Sequence, residues 1–281
     1  MCPESIQGPS NTNTHPYTII FSLYADHAPG ERSIWIGSLI QVLAALDVSA
    51  GTVRTIISRM QRDGLLQSRQ EGRKSFYSLT DAGQEEVSMG AKQIFSISTE
   101  WDGRWTVITY SIPEKQRKKR DALRASLRNY GFGDLNPGLW ISPHSLPVDA
   151  PPKWQEMGVW KYLEHFRAEH IGLGDPHKLV QKAWPKLPAL DKDYRAYIAR
   201  YQPVLRKFEA GLLDDQRCFA ARLQNLFEFV SLNLNDPALP PVLLPKEWSR
   251  PSAQTLFRQI NAEMNGPAQR FFDTICTEKE R

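Results

Sequence analysis

One amphipathic segment with clear start and stop signals constrains the first third of the chain more than any other feature. Valine, isoleucine and methionine occupy positions 53, 56, 57 and 60, a spacing that places apolar side chains on one face of an α-helix. Ser49 stands where a helix N-cap is expected, and Gly64 stands where a left-handed residue ends a helix. The sequence therefore predicts a helix over residues 50–63 with one buried and one outward face.

A glycine-tipped hairpin follows this helix directly. We predict strands over residues 65–70 and 74–79, joined around Gly72. Two further amphipathic helices are predicted upstream, over residues 17–26 and 36–47. Three helices followed by a two-stranded hairpin form the winged variant of the helix-turn-helix. In that motif the second helix of the helix-turn-helix, which is the third helix of this chain, enters the major groove of DNA. The hairpin reaches the neighbouring backbone.

The outward face of the third helix carries small, hydroxylated and basic side chains. Small side chains allow close approach, hydroxyls bond phosphates or base edges, and arginine matches guanine or phosphate oxygens. We therefore predict DNA contacts from this face and from the hairpin tip, made by Ser49, Gly51, Thr52, Arg54, Thr55, Ser58, Arg59, Arg62, Arg73 and Lys74. The alternative is a small helical domain whose arginines form a solvated face. It explains the amphipathic helix, but not the combination of N-cap, small-residue face and basic hairpin tip.

The overall composition allows a DNA-binding protein without requiring one. The chain has 281 residues and a formal net charge of +4, and residues 52–74 alone hold six basic and two acidic side chains. The three cysteines follow no metal-binding spacing, and His165 and His170 do not share a helical face as metal ligands would. No long apolar run marks a signal peptide or a membrane span. We expect a cytoplasmic protein with no metal and no other cofactor.

The middle of the chain begins with a β-α-β pattern. Residues 104–112 alternate as a strand, a helix follows over residues 114–129, and "GLWIS" at residues 138–142 returns as a strand. A further helix, strand and helix end near Trp184, whereas "GFGDLNPG" at residues 131–138 is interpreted as a turn. This order suits a ferredoxin-like α+β domain.

The predicted helix over residues 114–130 is strongly basic, with seven basic and two acidic residues. Three interpretations stay open: a solvated helix face, contact with DNA beside the operator, or contact with ligand phosphates. The C-terminal third is helical by its periodicity. We therefore expect an α+β multidomain protein. Its predicted parts are a flexible arm (1–16), a winged helix-turn-helix domain (17–98), a ferredoxin-like middle domain (99–186) and a helical C-terminal domain (187–281).

Several long motifs resemble those of the PaaX family, bacterial repressors of phenylacetate catabolism and their relatives. The motifs are "WIGSLIQVLAALDVSAGTVRTIISRMQRDGLL", "GRKSFYSLT", "WDGRWTVITYSIPE", "RDALRASLRNYGFGDLNPGLWISP" and "DPALPPVLLPKEW". The resemblance covers nearly the whole chain. It implies a homodimer that binds double-stranded operator DNA and leaves it when a CoA thioester, typically phenylacetyl-CoA, binds.

The chain departs from the family pattern in its C-terminal third. Where family members commonly carry a His-Glu-Tyr-Arg-Arg run, this chain has Phe-Glu-Phe-Val-Ser at residues 227–231. Either the effector of this protein differs from that of the family, or the family's polar run only holds helices together and does not contact the effector. We expect an aromatic catabolite or its CoA ester as effector, bound with the help of Trp140, Arg222, Phe227 and Phe229.

We expect a dimeric, ligand-responsive repressor of an aromatic-compound catabolic operon, and two other functions are alternatives to it. The family's middle domain resembles the small nuclease-like subunit of CRISPR adaptation complexes, which raises a metal-dependent nucleic-acid-processing enzyme. Ser111 stands where that enzyme would need an acidic residue, and a hydroxyl alone cannot anchor a divalent cation. The other alternative is a DNA-binding module that only recruits a protein partner. Release of the protein from its operator by a small molecule would exclude a module that only recruits a protein partner.

Overall fold

The computed structural model describes residues 17–28, 32–95, 101–171 and 175–278, so the expected flexible arm over residues 1–16 lies outside the described residues. The chain combines helices with two antiparallel sheets, which confirms the mixed α+β class. The described residues group into two compact units. The first unit comprises residues 17–95, 194–232 and 250–278, and the second comprises residues 101–193 and 233–249.

The N-terminal part of the first unit has three helices, a small sheet and a fourth helix. In chain order these are α1 (Thr18–His27), β1 (Ile34–Trp35), α2 (Ile36–Ala44), α3 (Ala50–Arg62), β2 (Leu66–Glu71), β3 (Lys74–Leu79) and α4 (Asp81–Phe95). The sheet order is β1-β3-β2, and the β2–β3 register runs from Leu66 opposite Leu79 to Glu71 opposite Lys74. The two-residue strand β1 was not predicted from the sequence.

The start and end of α3 follow from its local sequence. The Ser49 Oγ accepts a hydrogen bond from the Thr52 backbone N–H at 3.1 Å, the usual N-cap interaction. After the helix, Gly64 has a φ of 74°, a left-handed conformation that glycine adopts without steric cost. The stripe at positions 53, 56, 57 and 60 is buried. The predicted helix, its boundaries and its buried face agree with the structure.

Four long helices complete the C-terminal part: α8 (Leu187–Glu209), α9 (Asp215–Leu234), α10 (Arg250–Glu263) and α11 (Asn265–Glu278). One hydrophobic core in the first unit combines side chains from α1, α2 and α3 with Phe219 and Leu223 of α9 and Phe272 and Ile275 of α11. The Ser38 hydroxyl on α2 also donates to the Ile275 carbonyl at 3.2 Å. The N-terminal helices are therefore packed on helices from the far end of the chain.

The second unit is built on a four-stranded antiparallel sheet. Its elements are β4 (Arg104–Tyr110), α5 (Arg117–Asn129), β5 (Gly133–Asn136), β6 (Leu139–Ser142), α6 (Ala150–Glu156), β7 (Leu163–Glu169) and α7 (Pro176–Ala183). The strand order is β5-β6-β4-β7. Ile108 from the sheet packs with Leu123 and Leu127 of α5 and with Trp154 of α6. This core fixes α5 and α6 on the sheet.

Two interpretations of the sequence need correction. Residues 131–138 are not only a turn, because β5 forms within them. Gly133 is required there for close packing: a Cβ on it would lie 2.7 Å from the Ala183 Cβ. In addition, α11 was not predicted. The domain boundaries stay a prediction, although the first unit does contain residues from both the predicted N-terminal and C-terminal domains.

Two features are absent from the described residues. No helix in the described ranges is long and apolar enough to cross a membrane. Among the same residues there is also no group of three or more His, Cys, Asp or Glu side chains placed to hold a metal ion.

Candidate nucleic-acid interface

The predicted DNA-contacting residues on α3 lie on the outward face of that helix in the structure. Those on α3 and its N-cap are all exposed, as is Arg73 at the hairpin tip, and Lys74 is half-buried. Their common position follows from the buried stripe, which fixes the rotation of α3 about its axis. We call the exposed residues of α3 and its N-cap, together with Arg73 and Lys74 of the hairpin tip, the α3 face.

The hydroxyl groups near the start of α3 are held by local hydrogen bonds. The Ser49 and Thr52 hydroxyls are 2.9 Å apart, and the Thr55 hydroxyl donates to the Gly51 carbonyl at 2.9 Å. Each hydroxyl oxygen keeps acceptor capacity and a defined position. Because Gly51 has no side chain, the helix backbone there is open to close approach by a partner.

The arginines of the α3 face differ in how they are paired. Arg62 lies 3.6 Å from the Asp63 carboxylate, in an exposed pair that contributes little energy. Arg54, Arg59 and Arg73 make no ion pair with any residue that the structure describes. Three guanidinium groups are thus exposed with no carboxylate partner among the described residues, which suits an anionic partner.

The hairpin is fixed to α3 by side-chain hydrogen bonds that sequence reasoning did not find. Gln61 on α3 donates to the Ser68 hydroxyl on β2 at 3.0 Å, and the Thr80 hydroxyl donates to the Gly64 carbonyl at 2.7 Å. Lys74 places its ammonium 5.3 Å from the centre of the Trp35 ring, a cation–π contact. These contacts join the hairpin to the end of α3 and to β1.

A further contact joins α3 to the first helix. The Tyr17 hydroxyl donates to the Asp63 carboxylate, and this hydrogen bond is the main reason that the pKa of Tyr17 is raised above its ordinary value. Tyr17 therefore donates as a neutral phenol at physiological pH. The signal for this contact was absent from the local sequence, since the two residues are far apart in the chain.

The expected effector residues are distributed over both units. Trp140 lies in the second unit and is 1% exposed, with the Arg128 guanidinium 5.5 Å from its ring centre. Arg222, Phe227 and Phe229 are all on α9. Phe229 is 1% exposed and stacks on Phe257 with ring centres 4.2 Å apart, so it belongs to the helical core. Only Phe227 among these three is half-buried.

A buried polar network surrounds Arg222 on α9. Its guanidinium donates through Nε to the Asn261 carbonyl at 3.1 Å, and its Nη1 lies 2.7 Å from the Asp26 carboxylate of α1. Asn225 accepts a hydrogen bond from the buried Tyr197 hydroxyl and donates to the Asn261 side chain. Burial raises the pKa of the Tyr197 phenol. The polar groups here tie α1, α8, α9 and α10 together.

Comparison with known families places this chain among transcription regulators rather than enzymes. Residues 15–83 match the family described as PaaX-like protein, and residues 98–180 match the family described as PaaX protein central Cas2-like domain. Residues 184–274 match the family described as PaaX-like protein C-terminal domain. The chain belongs to the PaaX family, which confirms the resemblance inferred from its motifs.

One relative and one solved structure extend this result. The chain is 30% identical over 248 residues to the transcriptional repressor PaaX of Escherichia coli (strain K12), covering 85% of this chain and 77% of that protein. It is also similar in fold to the uncharacterized protein Rv0674 from Mycobacterium tuberculosis. That similarity has a TM-score of 0.62 and 21% sequence identity, and it covers 93% of this chain and 98% of the other. It concerns the fold alone.

Proposed function

We propose that this protein is a dimeric transcriptional repressor of an aromatic-compound catabolic operon, and that a small-molecule effector releases it from its operator. The observation that carries the proposal is the α3 face, with three exposed guanidinium groups that no described carboxylate neutralises. Family membership and the relatedness to a transcriptional repressor support the same function.

We propose further that α1 to α3 and the β2–β3 hairpin act as a winged helix-turn-helix. An α-helix fits the major groove of DNA, which is about 12 Å wide. In this arrangement the 13 residues of α3 present their outward face to base edges. The hairpin tip then reaches the neighbouring phosphates. The hydrogen bonds from Gln61 to Ser68 and from Thr80 to Gly64 support this geometry, because they hold the hairpin beside the helix.

For the second unit we propose the ferredoxin-like architecture. Four strands in the chain order β4, β5, β6, β7 form a sheet of order β5-β6-β4-β7, with α5 after the first strand and α6 before the last. A β-α-β-β-α-β unit with this antiparallel order supports that assignment. Ser111, which follows β4, remains the reason against metal-dependent cleavage of nucleic acid.

The test of the repressor function is selection of a binding site from genomic DNA, followed by gel-shift titration of the selected site. The Arg59→Ala variant should lose about 1 to 3 kcal/mol of binding free energy and discriminate less between sites if Arg59 contacts a base. Lys207→Ala, which removes an exposed cation on α8, is the matched control and should bind as the wild type does. Failure of the wild type to select any sequence would refute the proposed function.

A further inference from the structure

The two-residue strand β1 brings one tryptophan beside the hairpin tip. Trp35 ends this strand and is half-buried. In the β1–β3 register it stands directly opposite Phe76, which is buried. Lys74 is two residues from Phe76 on β3, so its side chain projects from the same face of the sheet. The pairing of β1 therefore places an indole ring diagonally beside the first residue of β3.

The Lys74 ammonium lies over the Trp35 ring, 5.3 Å from the ring centre. The face of an indole ring is negative, and it attracts a cation more strongly than the ring of tyrosine or phenylalanine does. An ammonium has three N–H donors, so contact with a ring face is compatible with a hydrogen bond to an acceptor such as a phosphate. The ring therefore holds the ammonium without using it up.

Gly37 at the start of α2 determines where the Trp35 ring can lie. A Cβ on Gly37 would be 2.3 Å from the Cη2 of Trp35, 2.4 Å from its Cζ3 and 2.6 Å from its Cζ2. Three ring carbons at such short distances mean that the six-membered part of the indole lies directly on the helix backbone. Any side chain at this position would need the same space and would displace the ring. The place of the indole thus depends on a glycine two residues further along the chain.

A lysine that is already held binds a phosphate with a smaller loss of freedom than a mobile lysine. Four rotatable bonds separate the lysine backbone from its ammonium, and fixing them costs side-chain entropy. The Trp35 ring restricts Lys74 before any DNA is present. Part of the entropy is therefore lost in the free protein and is not lost again on binding.

We propose that Trp35 is a positioning residue for DNA binding: packed on Gly37, it holds the Lys74 ammonium where the hairpin meets a DNA phosphate. This role rests on the proposed winged helix-turn-helix, in which the hairpin tip reaches the neighbouring phosphates. A phosphate contact carries no sequence information, so its loss weakens binding to every duplex alike. Trp35 therefore acts on affinity and on salt dependence, and not on sequence preference.

The first measurement tests the contact in the full-length, DNA-free protein by nuclear magnetic resonance with ¹³C-labelled lysine. The ε-methylene resonance of Lys74 is identified by its absence from the Lys74→Gln variant. The ring current of Trp35 should shift this resonance upfield, and Trp35→Leu should abolish the shift. Gly37→Ala should reduce the shift, because the new Cβ displaces the ring. Gly266→Ala, whose Cβ would be in ordinary contact with the Arg270 Nη1 at 3.7 Å, is the matched control and should leave it unchanged. An unshifted wild-type resonance would overturn the proposal.

The second measurement is gel-shift titration with random-sequence duplex DNA at several salt concentrations. Lys74→Gln should weaken binding about threefold or more and lower the slope of log affinity against log salt by about 1. Trp35→Leu should weaken binding about two- to fivefold, as expected for loss of a cation–π contact at a partly exposed site. Trp35→Phe keeps a ring and should bind within about twofold of the wild type. Thermal unfolding of every variant verifies that the protein is folded.

Combining the two substitutions separates positioning from a general structural role. If Trp35 acts through Lys74, Trp35→Leu should have no further effect on DNA affinity in the Lys74→Gln background. A further loss of the same size in that background would make Trp35 a structural residue and overturn the proposal. A Trp35→Phe variant as damaged in DNA binding as Trp35→Leu would overturn it as well.

The positioning role and the repressor function fail separately. Suppose that the wild type selects no specific sequence, but Trp35→Leu weakens binding to random duplex DNA only when Lys74 is present. The positioning role then stands and the repressor function fails. If the wild type selects a specific site and Trp35→Leu binds random duplex DNA as the wild type does, the positioning role fails alone. Absence of any DNA binding refutes both.

Discussion

The Arg222 guanidinium on α9 lies 2.7 Å from the Asp26 carboxylate on α1, and the two side chains are only 9% and 14% exposed. Burial lowers the pKa of Arg222 and raises that of Asp26, while the ion pair opposes both shifts. A pair of this kind ties the first helix of the N-terminal part to a helix from the C-terminal third.

Breaking this pair should be costly. Arg222→Ala leaves the Asp26 carboxylate buried without its main counterion, and the free energy of unfolding should fall by about 3 to 5 kcal/mol. Arg217→Ala, which removes an exposed ion pair with Asp214 at 3.8 Å, is the matched control and should cost less than about 1 kcal/mol. Urea unfolding followed by circular dichroism measures both. A loss below about 1 kcal/mol for Arg222→Ala would show that the pair is effectively solvated.

A second prediction concerns pH. His27 is 1% exposed, its ring centre lies 5.2 Å from that of Phe272, and burial lowers its pKa below 6.5. The unfolded state therefore binds a proton first as the pH falls below 6.5, and the free energy of unfolding should decrease there. Above that pH both states are neutral at this residue, so its contribution is constant. Asp26 acts in the opposite direction, since its raised pKa lets the folded state bind a proton earlier as the pH falls toward 3.8.

The difference between wild type and His27→Gln isolates this histidine from the other titrating groups. Chemical denaturation at pH values from about 5.5 to about 7.5 should show a smaller loss of stability toward acid in the variant. Parallel stability curves for the two proteins would mean that His27 titrates alike in the folded and unfolded states.

The hairpin tip should contribute affinity without sequence preference. Arg73 is exposed at the end of β2–β3, where a wing would contact phosphates. Arg73→Ala should weaken binding to all DNA sequences alike and reduce the slope of log affinity against log salt by about 1. Gel-shift titrations at several salt concentrations measure the slope. Loss of preference for the operator with an unchanged slope would instead assign Arg73 to base contact.

We predict that the protein binds DNA as a dimer, because one winged helix of the proposed kind would cover few base pairs. A dimer on a pseudo-palindrome should place its half-sites about 34 to 36 Å apart, or a multiple of this distance. Analytical ultracentrifugation of the protein with and without its operator tests the stoichiometry. Sedimentation as a monomer in both states would contradict the prediction.

The effector should differ from phenylacetyl-CoA. At residues 227–231, where the resemblance to the family predicts a His-Glu-Tyr-Arg-Arg run, Phe229 is buried against Phe257 and Phe227 is half-buried. We therefore expect a more hydrophobic aromatic ligand and a weak response to phenylacetyl-CoA. Calorimetry and operator release measured side by side are needed, because a ligand with equal affinity for free and DNA-bound protein cannot release it. Micromolar binding with full release would show that the substituted run is not the ligand site.

The sequence predicted those features that local periodicity determines. The buried stripe of α3, its N-cap at Ser49 and the hairpin around Gly72 were all readable, because each depends on neighbouring residues. Strand β5 was missed because it is short and begins at Gly133, a residue with low strand propensity. Helix α11 was missed because it begins with Asn-Gly-Pro, which usually marks a turn.

Long-range contacts at the functional surfaces were beyond local reasoning. Nothing near Asp26 in the sequence indicates that Arg222 will be its partner, since only the tertiary fold brings α1 and α9 together. The surroundings of the basic helix α5 were equally hidden. Arg124 was visible as part of that helix, but the approach of Asp134 from β5 was not. The three interpretations of the basic helix stay predictions.

The packing of α11 on α2 determines when the core beneath α1, α2 and α3 can be completed during synthesis. Phe272 and Ile275 complete the core beneath α1, α2 and α3, and they are translated long after those helices. While the ribosome is still adding residues before α11, the apolar side of α2 has no Ile275 to pack on. The core that supports these three helices is therefore completed only after the last helix of the chain has been synthesised.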